Sequence, residues 1–149
     1  MLDRSKIDHE FDSFSIDIEK GRLKFFAKAI GEINPVYSDE LAARDAGYKT
    51  IPAPPTFPMT LDMEGPDFLP VLKLLGMDIG RTLHGSQEFE YSGTIYAGDT
   101  ITVTSKLKEI FDKKGGALEF VVMENSYTNK NGDLVARATN SLVYRNPSV

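Results

Sequence analysis

Few side chains in this sequence are able to do chemistry. The 149 residues include no cysteine and two histidines, His9 and His84. Thiol nucleophiles, thiolate metal sites and disulfides are thereby removed together. Two histidines so far apart do not form a His-rich centre, so neither a metal nor a bound cofactor is expected. Glu32 follows a helical pattern, a place where a carboxylate is electrostatically unfavourable. It reads either as an exposed carboxylate or as one retained for another reason. With a reference pKa of ~4.3, it needs burial to become an effective base. Tyr37, with a reference pKa of ~10, is a poor base at neutral pH but a competent hydrogen-bond donor; it also reads as a packing aromatic. His84 is either an acid–base group or a hydrogen-bonded structural histidine, and His9 reads as surface.

Two further stretches carry alternatives. Pro54-Pro55-Thr56-Phe57 is either a rigid bend or the opening of a helix, whose first N–H groups and dipole would face an oxyanion. Phe57, Met59, Met63 and Phe68 are core residues or, in part, an adaptable apolar wall.

The elements that must position these groups divide the chain in two. Phe14, Ile16 and Ile18 alternate with polar residues as in a short strand. Leu23, Phe26, Ala27 and Ile30 recur at helical spacing up to Gly31. Ser38 is a candidate N-cap for a second helix running to Gly47. The prolines of 51–58 enforce extended chain, followed by a helix through Phe57, Met59, Leu61 and Met63 that closes at Gly65-Pro66. Another short helix is expected from Phe68 to Leu75. From residue 80 onward the pattern has period two. Leu83 with Phe89 to Tyr91 marks one strand, and Ile101, Val103, Ser105 and Leu107 mark the next. A phase change at Glu109–Phe111 indicates a bulge. Leu118, Phe120 and Val122 mark a third strand, with Val121 and Met123 on its other face. Leu134, Ala136, Ala138 and Leu142 mark the last. Gly98-Asp99, Gly115-Gly116 and Asn131-Gly132 are the turns. Helices followed by antiparallel strands indicate an α+β domain.

Composition narrows the partners. With 17 Lys+Arg against 22 Asp+Glu the net charge is −5, and no basic cluster offers a nucleic-acid footprint. Lys106, Lys108, Lys113 and Lys114 are either solvated strand-edge charges or contacts for a phosphate. No stretch approaches the ~18 apolar residues of a membrane span, and the N-terminus has no apolar signal core. A single cytoplasmic domain over 1–149 is the expectation.

Several segments resemble a known superfamily. Phe26 to Glu40, containing Gly31-Glu32-Ile33-Asn34-Pro35-Val36-Tyr37, is similar to the hydratase motif of MaoC-like (R)-specific enoyl-CoA hydratases, as are Ala42-Ala43 and Gly47-Tyr48. Ala53-Pro54-Pro55-Thr56-Phe57-Pro58, Leu83-His84-Gly85-Ser86-Gln87-Glu88-Phe89 and Tyr96-Ala97-Gly98-Asp99-Thr100 resemble the N-terminal dehydratase domain of that superfamily. The resemblance implies a hot-dog fold, an antiparallel sheet wrapped around a central helix, forming half of a double hot-dog. It also implies acyl-CoA or acyl-carrier thioester substrates from fatty acid metabolism.

Hydration of a 2-enoyl thioester needs a base to activate water, an acid to deliver a proton, and donors for the thioester oxygen. In the resembling hydratases an aspartate and a histidine five residues apart flank the water. Glu32 stands at the aspartate position and Tyr37 at the histidine position. The resemblance therefore implies Glu32, Tyr37 and His84 as altered catalytic positions, and Asn34, Pro55, Thr56, Phe57, Met59 and Gln87 as substrate contacts. The same substitutions resemble the channel-forming partner of two-subunit (R)-3-hydroxyacyl dehydratases, which implies a heterodimer with a catalytic MaoC-like hydratase. A self-sufficient homodimer using Glu32 and a non-enzymatic acyl-thioester binder are the rival expectations.

Overall fold

Alternating inward and outward side chains build the sheet, and its inward set decides what must cover it. A computed structural model describes residues 1–146. β1 (Phe14–Asp17), β2 (Thr82–Tyr91), β3 (Thr100–Lys113), β4 (Leu118–Asn129) and β5 (Leu134–Arg145) form one antiparallel sheet in the order β1-β3-β4-β5-β2. The anticipated bulge is present. The β3–β4 register shifts between Leu107 and Glu109, which brings Ile110 to the buried face in line with Leu107. On β4 the buried set is Glu119, Val121, Met123, Asn125 and Tyr127, so the face of Leu118, Phe120 and Val122 is the outer one. β2 carries a second irregularity between His84 and Ser86. A Cβ on Gly85 would lie 2.8 Å from both Ser141 Oγ and Val143 Cγ2, so only glycine lets the two strands approach there.

The helical half is shorter than its hydrophobic pattern predicts. α1 (Lys20–Ala29) buries Leu23 and Ala27. α2 (Glu40–Asp45) is capped by Asp39, whose carboxylate accepts the Ala42 N–H at 2.8 Å. Ser38, the expected cap, instead closes the preceding 3-10 turn through its N–H to the Pro35 carbonyl. α3 (Pro58–Leu61) is one turn, ending before Met63, and α4 (Pro70–Leu75) begins two residues after Phe68. Leu69, preceding Pro70, takes the left-handed conformation at φ 48°; a residue before proline is disfavoured in the α region. Between the helices, a Cβ on Gly65 would sit 2.8 Å from the Phe14 ring. The break is thus packed directly against β1.

Two separate apolar clusters result. α3 and the Phe57 that precedes it contribute Leu61 and Phe57 to one that includes Leu23, Ile101, Val103 and Tyr127. α4 contributes Val71 and Leu72 to another that includes Leu107, Val121, Met123 and Leu142. Leu2 joins the second cluster. Its N–H donates to both oxygens of the fully buried Glu119 at 2.9 and 3.0 Å, and Asn146 Nδ2 donates to the same carboxylate at 3.3 Å. An N-terminal arm is thereby tied to the inner face of β4. No helix of the described residues is long and apolar enough to cross a membrane.

Replacing Glu119 by Ala strands the Leu2 N–H in an apolar setting, where an unsatisfied buried donor costs about 1–3 kcal/mol. Urea unfolding of Glu119→Ala is expected to show a loss in that range, with hydrogen exchange accelerating first in residues 1–7. Unchanged stability would mean that the arm is not held by this carboxylate.

Candidate functional site

The inner face of the sheet is not uniformly apolar. Ser105 lies between Val103 and Leu107 on β3, Asn125 between Met123 and Tyr127 on β4, and Asn140 between Ala138 and Leu142 on β5. Side chains two apart share a face. Ser105 pairs with Asn125 and Asn140 pairs with Gln87 of β2, while between β4 and β5 the polar positions are diagonal, Asn125 facing Ala138 and Asn140 facing Met123. A polar band therefore crosses the sheet between the two clusters. Opposite it, residues 62–69 provide no helix. The space between is a cavity of about 570 Å³, bounded by Met59, Met63, Leu69, Leu83, His84 and Leu142 together with the band. Its volume is in the range of small-molecule sites, ~300–1,000 Å³.

Asp62 reaches this cavity from the first residue after α3. Tyr127 Oη donates to its Oδ1 and Asn125 Nδ2 to its Oδ2, both at 2.7 Å. Burial pushes the carboxyl up from its ordinary 3.8 to about 6, against the opposing effect of the two hydrogen bonds. The Tyr127 phenol is raised as well, by burial first and then by the Asp62 charge. In the same lining His84 Nε2 lies 3.1 Å from Gln87 Oε1. The Gln87 Nε2 is buried with no hydrogen-bond partner among the described residues. Glu10, Asp12 and Asp67 also face the cavity, and its lining includes no lysine or arginine.

The segment from Glu32 to Tyr37 lies elsewhere. Tyr37 lines a smaller cavity of about 210 Å³ with Tyr48, Pro55, Pro58 and Tyr91. Its phenol is raised by burial, then by Tyr48 and the Glu32 charge. Glu32 is exposed and serves the loop: its Oε1 accepts the Asn34 N–H at 2.8 Å, while its own N–H closes α1 on the Ala27 carbonyl at 2.9 Å. Asn34 Oδ1 accepts the Val36 N–H at 3.2 Å and caps the following turn. The start of α3 is already committed. The Phe57 N–H bonds the Pro54 carbonyl, the Met59 N–H bonds the Thr56 carbonyl, and Pro58 has no N–H.

The candidate residues are thus divided. Tyr37 and Pro55 face the small cavity; Met59, His84 and Gln87 face the large one; Glu32, Asn34, Thr56 and Phe57 line neither. Phe57 is fully buried and meets Phe26 edge to face at 5.4 Å. Among the lysines, Lys106 pairs with Asp8 at 2.9 Å, Lys108 with Glu124 at 3.7 Å, and Lys113 lies over the Phe120 ring. Asp62, Asn125 and Asn140 did not emerge from the sequence as site residues. Their signal was a polar residue interrupting an inward run, visible for Asn140 in the series Ala136, Ala138, Leu142.

A sequence model described as the FAS1-like dehydratase domain region matches residues 5–138. The chain belongs to this dehydratase-domain family. Among its relatives, a UPF0336 protein of Thermobifida fusca (strain YX) is 34% identical over 129 residues, covering 87% of this chain and 84% of that protein. A chain of the HadBC (3R-hydroxyacyl-ACP dehydratase) complex from Mycobacterium tuberculosis superposes with a TM-score of 0.76 at 24% identity, over 92% of this chain and 96% of that one. A MaoC-like dehydratase from Rhodospirillum rubrum gives 0.73 at 22%, over 95% and 94%. The family member described here has the hot-dog fold of these MaoC-like proteins.

The Asp62 carboxyl makes stability depend on pH. A carboxyl whose pKa is higher when folded holds more protons in the folded state, so its contribution falls as pH rises from 3.8 to about 6 and is constant above. At about 1.4 kcal/mol per pKa unit, the change is at most about 3 kcal/mol. The difference in unfolding free energy between wild type and Asp62→Asn, followed by denaturant titration across this window, is expected to shift in that direction. A pH-independent difference would refute the raised pKa.

Proposed function

We propose that the chain is the acyl-pocket subunit of a MaoC-like dehydratase or hydratase acting on 2-enoyl or 3-hydroxyacyl thioesters. A second hot-dog chain supplies the acid–base pair. One observation carries this reading: the large cavity lies beside an unpaired sheet edge, whereas Glu32 and Asn34 are spent on holding a loop. β2 has a strand on one side only. Leu83 on that strand is 63% exposed, Ile79 just before it 58%, and Met63 at the cavity 52%. Apolar exposure beside a free strand edge fits a partner that pairs along β2 and closes the cavity. The first turn of α3, with its N–H groups committed, is poorly suited to hold an oxyanion; this supports placing that task in the partner. The HadBC protein named above is itself a complex.

Purified chain is to be assayed for hydration of short- and medium-chain 2-enoyl-CoA, alone and with a MaoC-like hydratase retaining aspartate and histidine. Turnover is expected only in the mixture, unaffected by Glu32→Ala. Met63→Trp, which narrows the cavity, is expected to lower kcat/KM for the longer chains by about tenfold or more, a barrier change near 1.4 kcal/mol, while sparing the shortest. Turnover by the chain alone that disappears in Glu32→Ala would replace this reading with a self-sufficient enzyme. Thioester binding without turnover in any mixture would leave a binding protein.

A further inference from the structure

A cavity built only to hold a hydrocarbon chain has no use for a polar band. An unsubstituted chain laid across Asp62, Asn140 and Gln87 offers them no hydrogen bond and shuts them off from solvent. Burying such groups unpaired is unfavourable. A site built to bond a hydroxyl rejects the analogue lacking it for the same reason.

The groups are fixed in place. Both oxygens of Asp62 accept one bond from β4, from Tyr127 and Asn125, and each retains a lone pair. Gln87 and Asn140 are register partners on neighbouring strands, and the Gln87 Nε2 has its protons unclaimed among the described residues. The Asp62 acceptor, held against β4, and the amide donors of Asn140 and Gln87 on the next two strands belong to one cavity lining and together match the one donor and two lone pairs of a hydroxyl. The surrounding charge favours a neutral group. Asp62, Glu10, Asp12 and Asp67 face the cavity, whose lining includes no lysine or arginine. Glu10, Asp12 and Asp67 are exposed and Glu10 lies 4.0 Å from Lys106, so the like charge that a ligand carboxylate meets is chiefly that of Asp62.

We propose that the cavity selects an acyl chain bearing a hydroxyl group away from the thioester, bonded by Asp62 with Asn140 and Gln87, and rejects a chain ending in a carboxylate. The inference rests on the acyl-thioester reading and specifies its substrate class.

The test is calorimetric titration of the full chain with medium-chain acyl-CoAs matched carbon for carbon in plain, ω-hydroxy, ω-amino and ω-carboxy forms, and with free alkanediols of the same lengths. At the length that reaches Asp62, the hydroxy form is expected to bind about tenfold tighter than the plain form, and the carboxy form weaker than either. Asp62→Leu is expected to abolish or reverse the preference. Asn140→Leu and Gln87→Met each reduce it, and they decide the matter if Asp62→Leu does not fold. Plain chains binding as tightly as hydroxylated ones at every length would overturn the inference and leave the acyl-pocket reading standing. Tighter binding of the ω-amino form would overturn the hydroxyl as the recognised group. Diols binding while no thioester does would support the hydroxyl site and overturn the thioester reading. No binding by any of these ligands would overturn both.

Discussion

The structure depends on how little helix is available to cover the inner face of the sheet. α3 is one turn and α4 six residues, and the chain between them is pinned at Gly65, where the Phe14 ring leaves no room for a Cβ. A continuous helix over residues 58–75 would press apolar side chains onto Ser105, Asn125 and Asn140. Burying those polar groups without partners would be destabilising. The break in the helix and the polar band are therefore mutually consistent. Each apolar cluster has its own helix, and the polar residues lie where neither helix reaches. The cavity follows from this division of the core.

α3 also separates two regions with different chemistry. Pro58 faces the smaller cavity with Tyr37 and Tyr91, while Met59 and Asp62 face the larger one. The Glu32–Tyr37 segment ends in a 3-10 turn capped by Asn34. Its hydrogen bonds run within the loop, from Glu32 to Asn34 and from Asn34 to Val36. Such local bonds hold the loop's shape without help from either cavity. Burial instead raises a carboxyl at the larger cavity, that of Asp62.

The sheet was readable because its rules are local. Period-two alternation and glycine-containing turns marked the four long strands, and the phase change near Glu109 anticipated the bulge. The buried side of β4 was less legible. Leu118, Phe120 and Val122 match the hydrophobicity of Val121 and Met123, and Glu119 and Asn125 make the true inner face look like the solvent side. Glu119 is buried because Leu2, distant in sequence, brings its N–H to it. α2 was displaced by one residue because Asp39 competes with Ser38 as a cap, and Ser38 is held by the preceding turn.

The sequence by itself determined the absence of thiol chemistry, the α+β order of elements, and the identity of Glu32 and Tyr37 five residues apart. These depend on residue identity and on spacings of a few residues. Only the tertiary structure decided that His84 and Tyr37 face different cavities and that Phe57 is core. It also brought Asp62, Asn125, Asn140 and Gln87 to one cavity. Those four come from the end of α3 and from three strands, and no sequence spacing relates them. Strand register and the length of a helix set their proximity, and both are fixed by packing across the whole domain.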